Sequence, residues 1–350
     1  MLVRTIQKGV ALVRATGPQS ESARTALKFL GLGCVLIASA VVNARTGRSD
    51  LADAAWAEQI LRLRLNRGGV AFLGGAALAV AGVMVQGLFR NPLASPSVLG
   101  TTAGASFGGE LALVSLYGVL GAHAPQGISA ELLAPLGCVL GAVLSLAIVL
   151  GLAPLRASSV ALLLTGFLLS SMLFSLSELL KSLLQEQWQL VRAMATLSLG
   201  SVSGAGPKQL ALAGVLVCGA SLPAWFWSRE LDVLMSGEEE ATSLGVDVPR
   251  LRAWTVVWVS VLTSGAVAVG ANVTFVGLIV PHALRLMFGH AHRTLIPAAF
   301  LGGGIFLLWC DMLCRVLPLR NELPLSVVTA LIGGPLFLRM LSRLTRGASL

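Results

Sequence analysis

Long apolar segments alternate with short polar connections along most of the chain. A helix that crosses the hydrocarbon core of a bilayer needs about 20 predominantly apolar residues, and this rule predicts ten spans. Their approximate limits are 29–44, 68–88, 98–120, 132–153, 158–180, 209–227, 253–271, 273–288, 294–315 and 323–341. The pattern therefore predicts an all-α integral membrane protein with one domain over residues 29–341, an N-terminal tail of residues 1–28 and a C-terminal tail of residues 342–350.

The composition agrees with a membrane protein. Hydrophobic residues make up 55% of the 350 residues, charged residues make up 12%, and the mean hydropathy is +0.84. The 39 glycines fit helices that approach one another closely in lipid. The net charge is +9, but the basic residues are scattered over short loops and tails without a basic-aromatic patch, so we expect no nucleic-acid partner.

The eighth span is irregular. The segment "VTFVGLIVPHALRLMF" is short and contains Pro281, which lacks a backbone donor and bends or breaks a helix. Irregular backbone at membrane depth is tolerated only where protein or a water-filled cavity covers it. The sequence therefore predicts an interior half-helix at this position.

The basic residues also indicate orientation. With a cytoplasmic N-terminus, fifteen of the 25 lysines and arginines fall in cytoplasmic segments. The bias is modest because one outer cluster precedes the second span; its members are Arg45, Arg48, Arg62, Arg64 and Arg67. The basic tail, the first apolar run and "ASA" at 38–40 imitate a signal peptide, but the basic region is long for a signal, which favours a retained first helix.

The connection at residues 228–252 differs from the other loops. Short apolar patches alternate there with a glycine and the acidic triplet Glu238–Glu240, which suits a helix N-terminus. This pattern predicts two short amphipathic helices on the membrane face. A solvated hairpin without a partner is the alternative, and the pattern alone leaves both open.

Catalytic and metal-binding motifs are missing from the sequence. There is no GxxxxGK[ST] phosphate loop, no HExxH and no GxSxG. The five cysteines form no CxxC, and Cys310 with Cys314 would supply only two ligands of a metal site. We therefore expect no catalytic residue, no bound metal and no cofactor on this chain.

Ionisable residues inside the spans are functional candidates because their burial is costly. They include Glu110, Glu178 with Lys181, and Asp311 with Arg315 one turn later. Glu110, or the Asp311 and Arg315 pair, would serve an ion-coupled secondary transporter, whereas neutralising pairs near helix ends would be structural. A membrane-embedded enzyme that handles haem or metal through His282 is a third hypothesis; a histidine beside a broken helix more often binds freed carbonyl groups.

Several segments carry a family likeness. "RLNRGGVAFLGGAALAVAGVMVQGLFRNPLASPSVLGTTAGAS" at 64–106 resembles the signature of the FecCD-type permeases, the transmembrane subunits of type II ABC importers for iron-siderophores, haem and cobalamin. "GANVTFVGLIVPHALRLMFGHAHRTLIPAAFLGGG" and "CDMLCRVLPLRNELPLSVVTALIGGPLFL", both within 270–338, resemble it too, as do "ALLLTGF" and "GEEEATSLGVDV". The likeness runs from about residue 60 to the end.

The resemblance implies the type II permease fold of ten helices and a set of partners. Two permease subunits, identical or paralogous, would surround a pathway, with two cassette ATPase subunits below and a soluble periplasmic or lipid-anchored substrate-binding protein above. ATP and Mg would bind the ATPase subunits and not this chain. The protein would be a multi-pass protein of the bacterial inner membrane, in contact with membrane lipid, with both termini in the cytoplasm.

Working residues follow from the resemblance by position. The loop at 229–251 matches the ATPase-docking loop, with Leu234, Gly237, Glu239, Ala241, Leu244 and Gly245. Arg64 and Arg67 match outer arginines that pair with carboxylates of the binding protein, and Arg315 is assigned the same role. The residues predicted to line or flank the pathway are Gln86, Asn91, Pro92, Thr165, Gly166, Pro281 and His282.

The resemblance also interprets the turn "RNPLASP". Pro92 and Pro96 would end one helix and set the next, while Asn91 would satisfy freed backbone groups. The sequence departs from the family at Asn66 and Ser95, where a proline and an acidic residue are usual. We expect an iron-siderophore-type chelate as cargo, with haem or cobalamin as alternatives.

Overall fold

Helices make up nearly all of the described chain. The computed structural model describes residues 18–47, 54–120, 128–152, 159–317 and 322–347. The α-helices of these residues are Pro18–Arg45 (α1), Ala54–Leu88 (α2), Thr101–Leu120 (α3), Ile128–Leu152 (α4), Ser159–Leu183 (α5), Trp188–Leu199 (α6), Pro207–Phe226 (α7), Ser228–Leu234 (α8), Glu238–Ser243 (α9), Val248–Ala268 (α10), Val276–Phe288 (α11), His292–Val316 (α12) and Leu325–Gly347 (α13). A 3₁₀ helix, Pro96–Leu99, precedes α3.

Ten of these helices lie at the positions of the ten predicted spans, which confirms the all-α membrane architecture. Seven helices (α1, α2, α4, α5, α7, α10 and α12) are long and apolar enough to cross a membrane. Two shorter apolar helices, Val276–Phe288 and Leu325–Arg339, lie at the eighth and tenth spans. The predicted tail limits differ: α1 begins at Pro18, inside the predicted N-terminal tail, and α13 ends at Gly347. Residues 1–17 and 348–350 lie outside the described residues.

The hydropathy pattern does not predict α6. This helix has 12 residues, which is too short for a span. Leu190 and Met194, four residues apart, are its buried residues, and it contacts α3 and α13. A window of span length averages such a segment with its polar neighbours, so only tertiary contacts reveal it.

Helix α2 lies at the centre of the bundle. In its most apolar window 83% of the residues are buried by protein, compared with 6% for α1 and 17% for α5. It packs against α7, α10, α11 and α12. A single helix therefore fixes the positions of four others.

Close backbone approach makes this packing possible. A Cβ added at Gly82 would lie 1.9 Å from the carbonyl oxygen of Gly277 in α11, and one added at Gly75 would lie 2.2 Å from the carbonyl oxygen of Gly303 in α12. Lipid provides little hydrophobic drive for helix association, so van der Waals contact at such crossings carries much of the stability. A side chain at either position would separate the helices.

Helix α11 is short, as predicted, but continues through Pro281. An ordinary residue at 281 would donate its backbone N–H to the carbonyl of Gly277, four residues earlier. Instead, the buried amide of Gln86 donates from Nε2 to the carbonyl oxygens of Gly277 and Leu278, at 3.4 Å each. The second helix therefore supplies the donor that the proline lacks, and the freed carbonyl stays satisfied.

The turn after α2 matches its predicted structural role. The side-chain oxygen of Asn91 accepts a hydrogen bond of 2.9 Å from the backbone N–H of Leu93, which is an Asx turn. Pro96 stands at the start of the 3₁₀ helix, where a missing donor has no cost. Gly100 ends that helix in the left-handed region, with φ of 78°.

We expect Gly82→Ala to lower the thermal unfolding midpoint of the detergent-solubilised chain strongly. Overpacking typically costs about 1–3 kcal/mol, and the obstacle here is backbone, which cannot rotate away. Gly214→Ala in α7 is the matched control because a Cβ there meets nothing within 4 Å. Equal midpoints for the two variants would contradict the proposed crossing.

Candidate functional site

Helices α8 and α9, with the two residues that follow them, form a compact hairpin at one end of the bundle, here called the docking hairpin (residues 228–245) after its predicted role. This confirms the two short helices predicted for the loop. Gly237 joins them with φ of 138°, a conformation that side chains disfavour. Of the predicted docking residues, Leu234 and Ala241 are buried, Gly237 is half-buried, and Glu239, Leu244 and Gly245 are exposed. The hairpin therefore buries one apolar face and leaves Leu244 66% exposed.

Contacts of two acidic side chains connect the docking hairpin to membrane spans. The Asp232 carboxylate in α8 accepts a 2.9 Å hydrogen bond from the backbone N–H of His292 and lies 2.6 Å from its Nδ1. Glu238, the first residue of α9, forms a 2.8 Å ion pair with the buried Arg252 of α10. Burial alone would raise the pKa of Asp232, but its hydrogen bonds with His292 lower it below the usual value. The hairpin is thus tied to the first turns of α10 and α12.

A buried carboxylate joins two arginines at the other end of α12. Asp311 is 1% exposed and accepts a 2.9 Å hydrogen bond from Nε of Arg67 in α2. Arg315, one turn after Asp311, places its Nε 3.2 Å from the second carboxylate oxygen, as the i, i+4 spacing predicts. Since removing one partner of a buried ion pair typically costs about 3–5 kcal/mol, Asp311 fixes the positions of both guanidinium groups.

The same arginines bind other parts of the chain. Arg67 donates to both carboxylate oxygens of Glu322, at 3.2 and 2.9 Å. Arg315 donates to the side-chain oxygen of Asn43, and Arg64 donates to a carbonyl oxygen near the end of α1 at 3.1 Å. We call Arg64, Arg67, Asp311, Arg315 and Glu322 the arginine cluster.

The structure brings the three predicted binding-protein arginines together. Arg64, Arg67 and Arg315 line one cavity of about 220 Å³, with Glu322 at its wall. Arg64 and Arg315 are 7% and 6% exposed. Their contact with a binding protein stays a prediction. In this conformation the guanidinium group of Arg67 already binds the carboxylate of Glu322.

Two adjoining cavities of about 260 and 300 Å³ form a polar groove beside α3 and α5. Both are lined by Ser97, Thr102 and Asn272. Further polar residues of the groove are Ser95, Ser106, Ser170, Ser177, Ser198 and Thr274. We call this the hydroxyl groove; its polar groups converge from five elements within an apolar bundle.

The predicted pathway residues lie elsewhere. None of Gln86, Asn91, Pro92, Thr165, Gly166, Pro281 and His282 lines the hydroxyl groove. Gln86 and Pro281 are buried at the contact of α2 with α11, and the hydroxyl of Thr165 donates to its own helix, to the carbonyl of Ala161 at 2.8 Å. Their assignment to a pathway therefore stays a prediction. The groove could have been suspected from the serines that recur along the mainly apolar α5, of which Ser170 and Ser177 line it.

Glu110 in α3 belongs to a satisfied network at the edge of this groove. It is fully buried, lies 3.1 Å from Nζ of Lys181 in α5, and accepts hydrogen bonds from Ser177 and, at 2.6 Å, from Ser198 in α6. Lys181 also pairs with Glu178 at 3.0 Å, as their spacing predicts. The network neutralises Glu110 and holds α6 against α3 and α5.

The described residues contain no group of three or more histidine, cysteine or acidic side chains placed to hold a metal ion. Cys310 and Cys314 are buried between helices.

Comparison with known proteins agrees with the all-helical membrane fold. The FecCD transport family model matches residues 27–343. The chain is 33% identical to the hemin transport system permease protein HmuU of Yersinia pestis over 322 residues, covering 91% of this chain and 93% of the relative. It is 35% identical to the Fe(3+) dicitrate transport system permease protein FecD of Escherichia coli, covering 81% of this chain and 85% of the relative.

A solved structure shares the fold. It is described as an inward-facing conformation of a putative metal-chelate type ABC transporter, with a TM-score of 0.79 and 31% sequence identity, over 91% of this chain and 99% of that one. The family model and the solved structure each match nearly the whole chain. This chain belongs to the FecCD transport family and is a transmembrane permease subunit of an ABC importer.

Proposed function

We propose that this permease carries an iron-siderophore-type chelate into the cytoplasm, driven by two separate cassette ATPase subunits that bind ATP and Mg. The observation that supports the coupling is the docking hairpin, which exposes the apolar side chain of Leu244 and contacts two spans through Glu238 and Asp232. A second permease subunit completes the pathway. The chain would lie in the bacterial inner membrane with both termini in the cytoplasm, on the side of the hairpin.

The geometry supports alternating access through the hairpin. Closure of the ATPase subunits on ATP would push α8 and α9 as one body, because Leu231, Leu234 and Ala241 anchor them in the core. The pairs of Asp232 with His292 and Glu238 with Arg252 would pass this displacement to α12 and α10. A packed core repacks between discrete arrangements and does not deform continuously, so a small push at the hairpin would tilt whole helices.

Iron as the cargo metal is supported by the names of relatives. Those named for hemin and Fe(3+) dicitrate transport both handle iron complexes, and the solved neighbour is described as metal-chelate type. Other relatives are named for cobalamin and molybdate import. Haem or cobalamin therefore remain the alternative cargoes, and selectivity would rest largely on the separate binding protein.

The hydroxyl groove supports passage of a polar chelate. Its serine, threonine and asparagine groups offer weak, exchangeable hydrogen bonds, and no charge of the described residues lines it. A cargo held by weak neutral contacts can leave as readily as it enters. An ion-coupled carrier is less well supported, because Glu110, its best carboxylate, is paired with Lys181 and two hydroxyl groups.

The arginine cluster supports docking of a soluble binding protein at the outer end. Asp311 orients Arg67 and Arg315, while Glu322 occupies the fork of Arg67. Glu322 is 39% exposed and stands where an incoming carboxylate would bind. We therefore propose that Glu322 binds Arg67 in the free permease, and that a carboxylate of the binding protein displaces Glu322 from Arg67 on docking.

For the docking hairpin, we expect Leu244→Asp to abolish recovery of an ATPase subunit when the tagged chain is purified from native membranes in mild detergent. The substitution places a negative charge on the exposed end of the docking hairpin without disturbing buried contacts. Leu199→Asp, at the end of α6 and 46% exposed, is the matched control and should retain the ATPase. Bound proteins are identified by mass spectrometry, together with ATP hydrolysis and uptake of a ⁵⁵Fe-chelate into proteoliposomes.

The docking result also separates the hypotheses. Recovery of the chain without an ATPase from wild type, combined with uptake that collapses when the proton gradient is removed, would overturn the ABC-coupled proposal in favour of ion coupling. Coupled ATPase activity without iron-chelate uptake, but with cobalamin uptake, would change only the cargo.

For the arginine cluster, we expect Arg67→Gln to weaken the cognate binding protein about tenfold and Glu322→Gln to strengthen it. The first variant removes the guanidinium group that would bind the incoming carboxylate, and the second removes the charge of Glu322 that competes for Arg67. Glu178→Gln, an ion-paired carboxylate that is 53% exposed on α5, controls for the loss of a charge. The measurement is surface plasmon resonance on the permease in nanodiscs. Weaker binding by Glu322→Gln would show that Glu322 is part of the docking surface and not a competitor for Arg67.

A further inference from the structure

An apolar groove lies between α1, α7 and α12, remote from the sites above. Its volume is about 470 Å³, within the range of about 300–1,000 Å³ that is usual for small-molecule sites. The residues that line it are Phe29, Cys218, Ser221, Leu222, Trp225, Ile296, Pro297, Phe300 and Leu301. Apart from Ser221 and Cys218 these side chains are hydrocarbon or aromatic, so the groove suits an acyl chain.

One polar atom in the groove lacks a partner. The hydroxyl oxygen of Ser221 is buried and makes no hydrogen bond within the described part of the chain. A buried hydroxyl without a partner is destabilising, because it has lost its hydrogen bonds to water. Ser221 stands one helical turn deeper than Trp225, so an occupant with an acceptor just below the membrane interface would satisfy it.

Two cationic side chains lie beside residues that line the groove or pack against its lining. The Arg293 guanidinium lies 5.8 Å from the ring centre of Trp225, whose indole N–H donates to the Arg293 carbonyl at 2.9 Å. Lys28, the neighbour of Phe29, lies 5.8 Å from the ring centre of Phe288 and donates to the carbonyl oxygen of Met287. Neither cation forms an ion pair with a carboxylate among the described residues. Two positive charges, positioned by aromatic rings and a carbonyl group, therefore flank the groove.

We propose that this groove binds an anionic glycerophospholipid. One acyl chain would lie along α7 and α12, an ester carbonyl would accept from Ser221, and the phosphate would contact Arg293 and Lys28. The groove lies towards the end of the bundle that carries the docking hairpin, because its lining includes Trp225, next to the last residue of α7, and Ile296 in the first turns of α12. This leaflet is the cytoplasmic one in the proposed topology, and that leaflet is rich in anionic lipid.

The occupied site would brace the start of α12. Arg293 is the second residue of that helix and follows His292 directly. A lipid held by α1, α7 and α12 would fix the helix end that receives displacement from the docking hairpin. This regulatory consequence rests on the proposed function, whereas lipid binding itself does not.

The test is native mass spectrometry of the full-length chain in mild detergent with equal amounts of phosphatidylglycerol and phosphatidylcholine of the same acyl chains. We expect preferential retention of phosphatidylglycerol by wild type. Arg293→Gln should reduce this preference about fivefold, and adding Lys28→Gln should reduce it about fivefold more. Arg250→Gln, an exposed arginine at the start of α10, is the charge control and should keep the preference.

A second pair of variants tests the groove itself. Leu222→Trp fills the groove and should lower retention of both lipids, whereas Val215→Trp, on the same helix but outside the lining, should not. Cys218 provides an independent readout because it lines the groove, and only Cys34 is also exposed among the described cysteines. In the Cys34→Ser variant, phosphatidylglycerol should slow maleimide labelling of Cys218. Thermal midpoints without lipid verify that each variant is folded.

Three outcomes would overturn the proposal. Equal retention of both lipids by wild type, unchanged in Arg293→Gln, would mean that the groove accepts any acyl chain. Retention that is insensitive to Leu222→Trp would place the lipid elsewhere. Protection of Cys218 that rises with protein concentration in the absence of lipid would show that a second copy of the chain covers the groove. Each of these is measured on the permease alone, so a missing ATPase would leave the result intact.

Discussion

The architecture depends on backbone contact between α2 and its neighbours. At Gly82 and Gly75 the helix approaches α11 and α12 so closely that no side chain fits between them. Moving an apolar side chain from lipid into a helix contact gains little free energy. Close backbone contact must therefore supply the specificity that a hydrophobic core supplies in water. The buried polar contacts of Gln86, near the end of α2, and of Arg67, nearer its middle, are then placed by the same helix.

The sequence predicted those parts of the fold that depend on local pattern. Hydropathy located ten spans because each span must satisfy the bilayer on its own. The acidic triplet predicted the start of α9 because a helix N-terminus favours negative charge wherever it lies. Pairs at helical spacing, Asp311 with Arg315 and Glu178 with Lys181, are likewise local and were found.

The remaining features depend on contacts between distant segments. Helix α6 is held by Glu110 and Lys181, and their pairing cannot be read from residues 71 positions apart. The hydroxyl groove combines single serines from separate helices, each unremarkable in its own span. Glu322 as the partner of Arg67 was also out of reach, because family likeness suggested only an external carboxylate. The three arginines could be grouped from the sequence, whereas their internal partners could not.

The contact of Gln86 with the proline-containing helix has an evolutionary consequence. A relative with an ordinary residue at 281 would have its own N–H for the Gly277 carbonyl, and the amide at 86 would keep the Leu278 carbonyl as an acceptor. A relative that lost the amide but kept the proline would bury a carbonyl without a donor. Loss of the amide is therefore the costlier single change, and sequences that keep a proline at 281 should also keep a side-chain donor at 86.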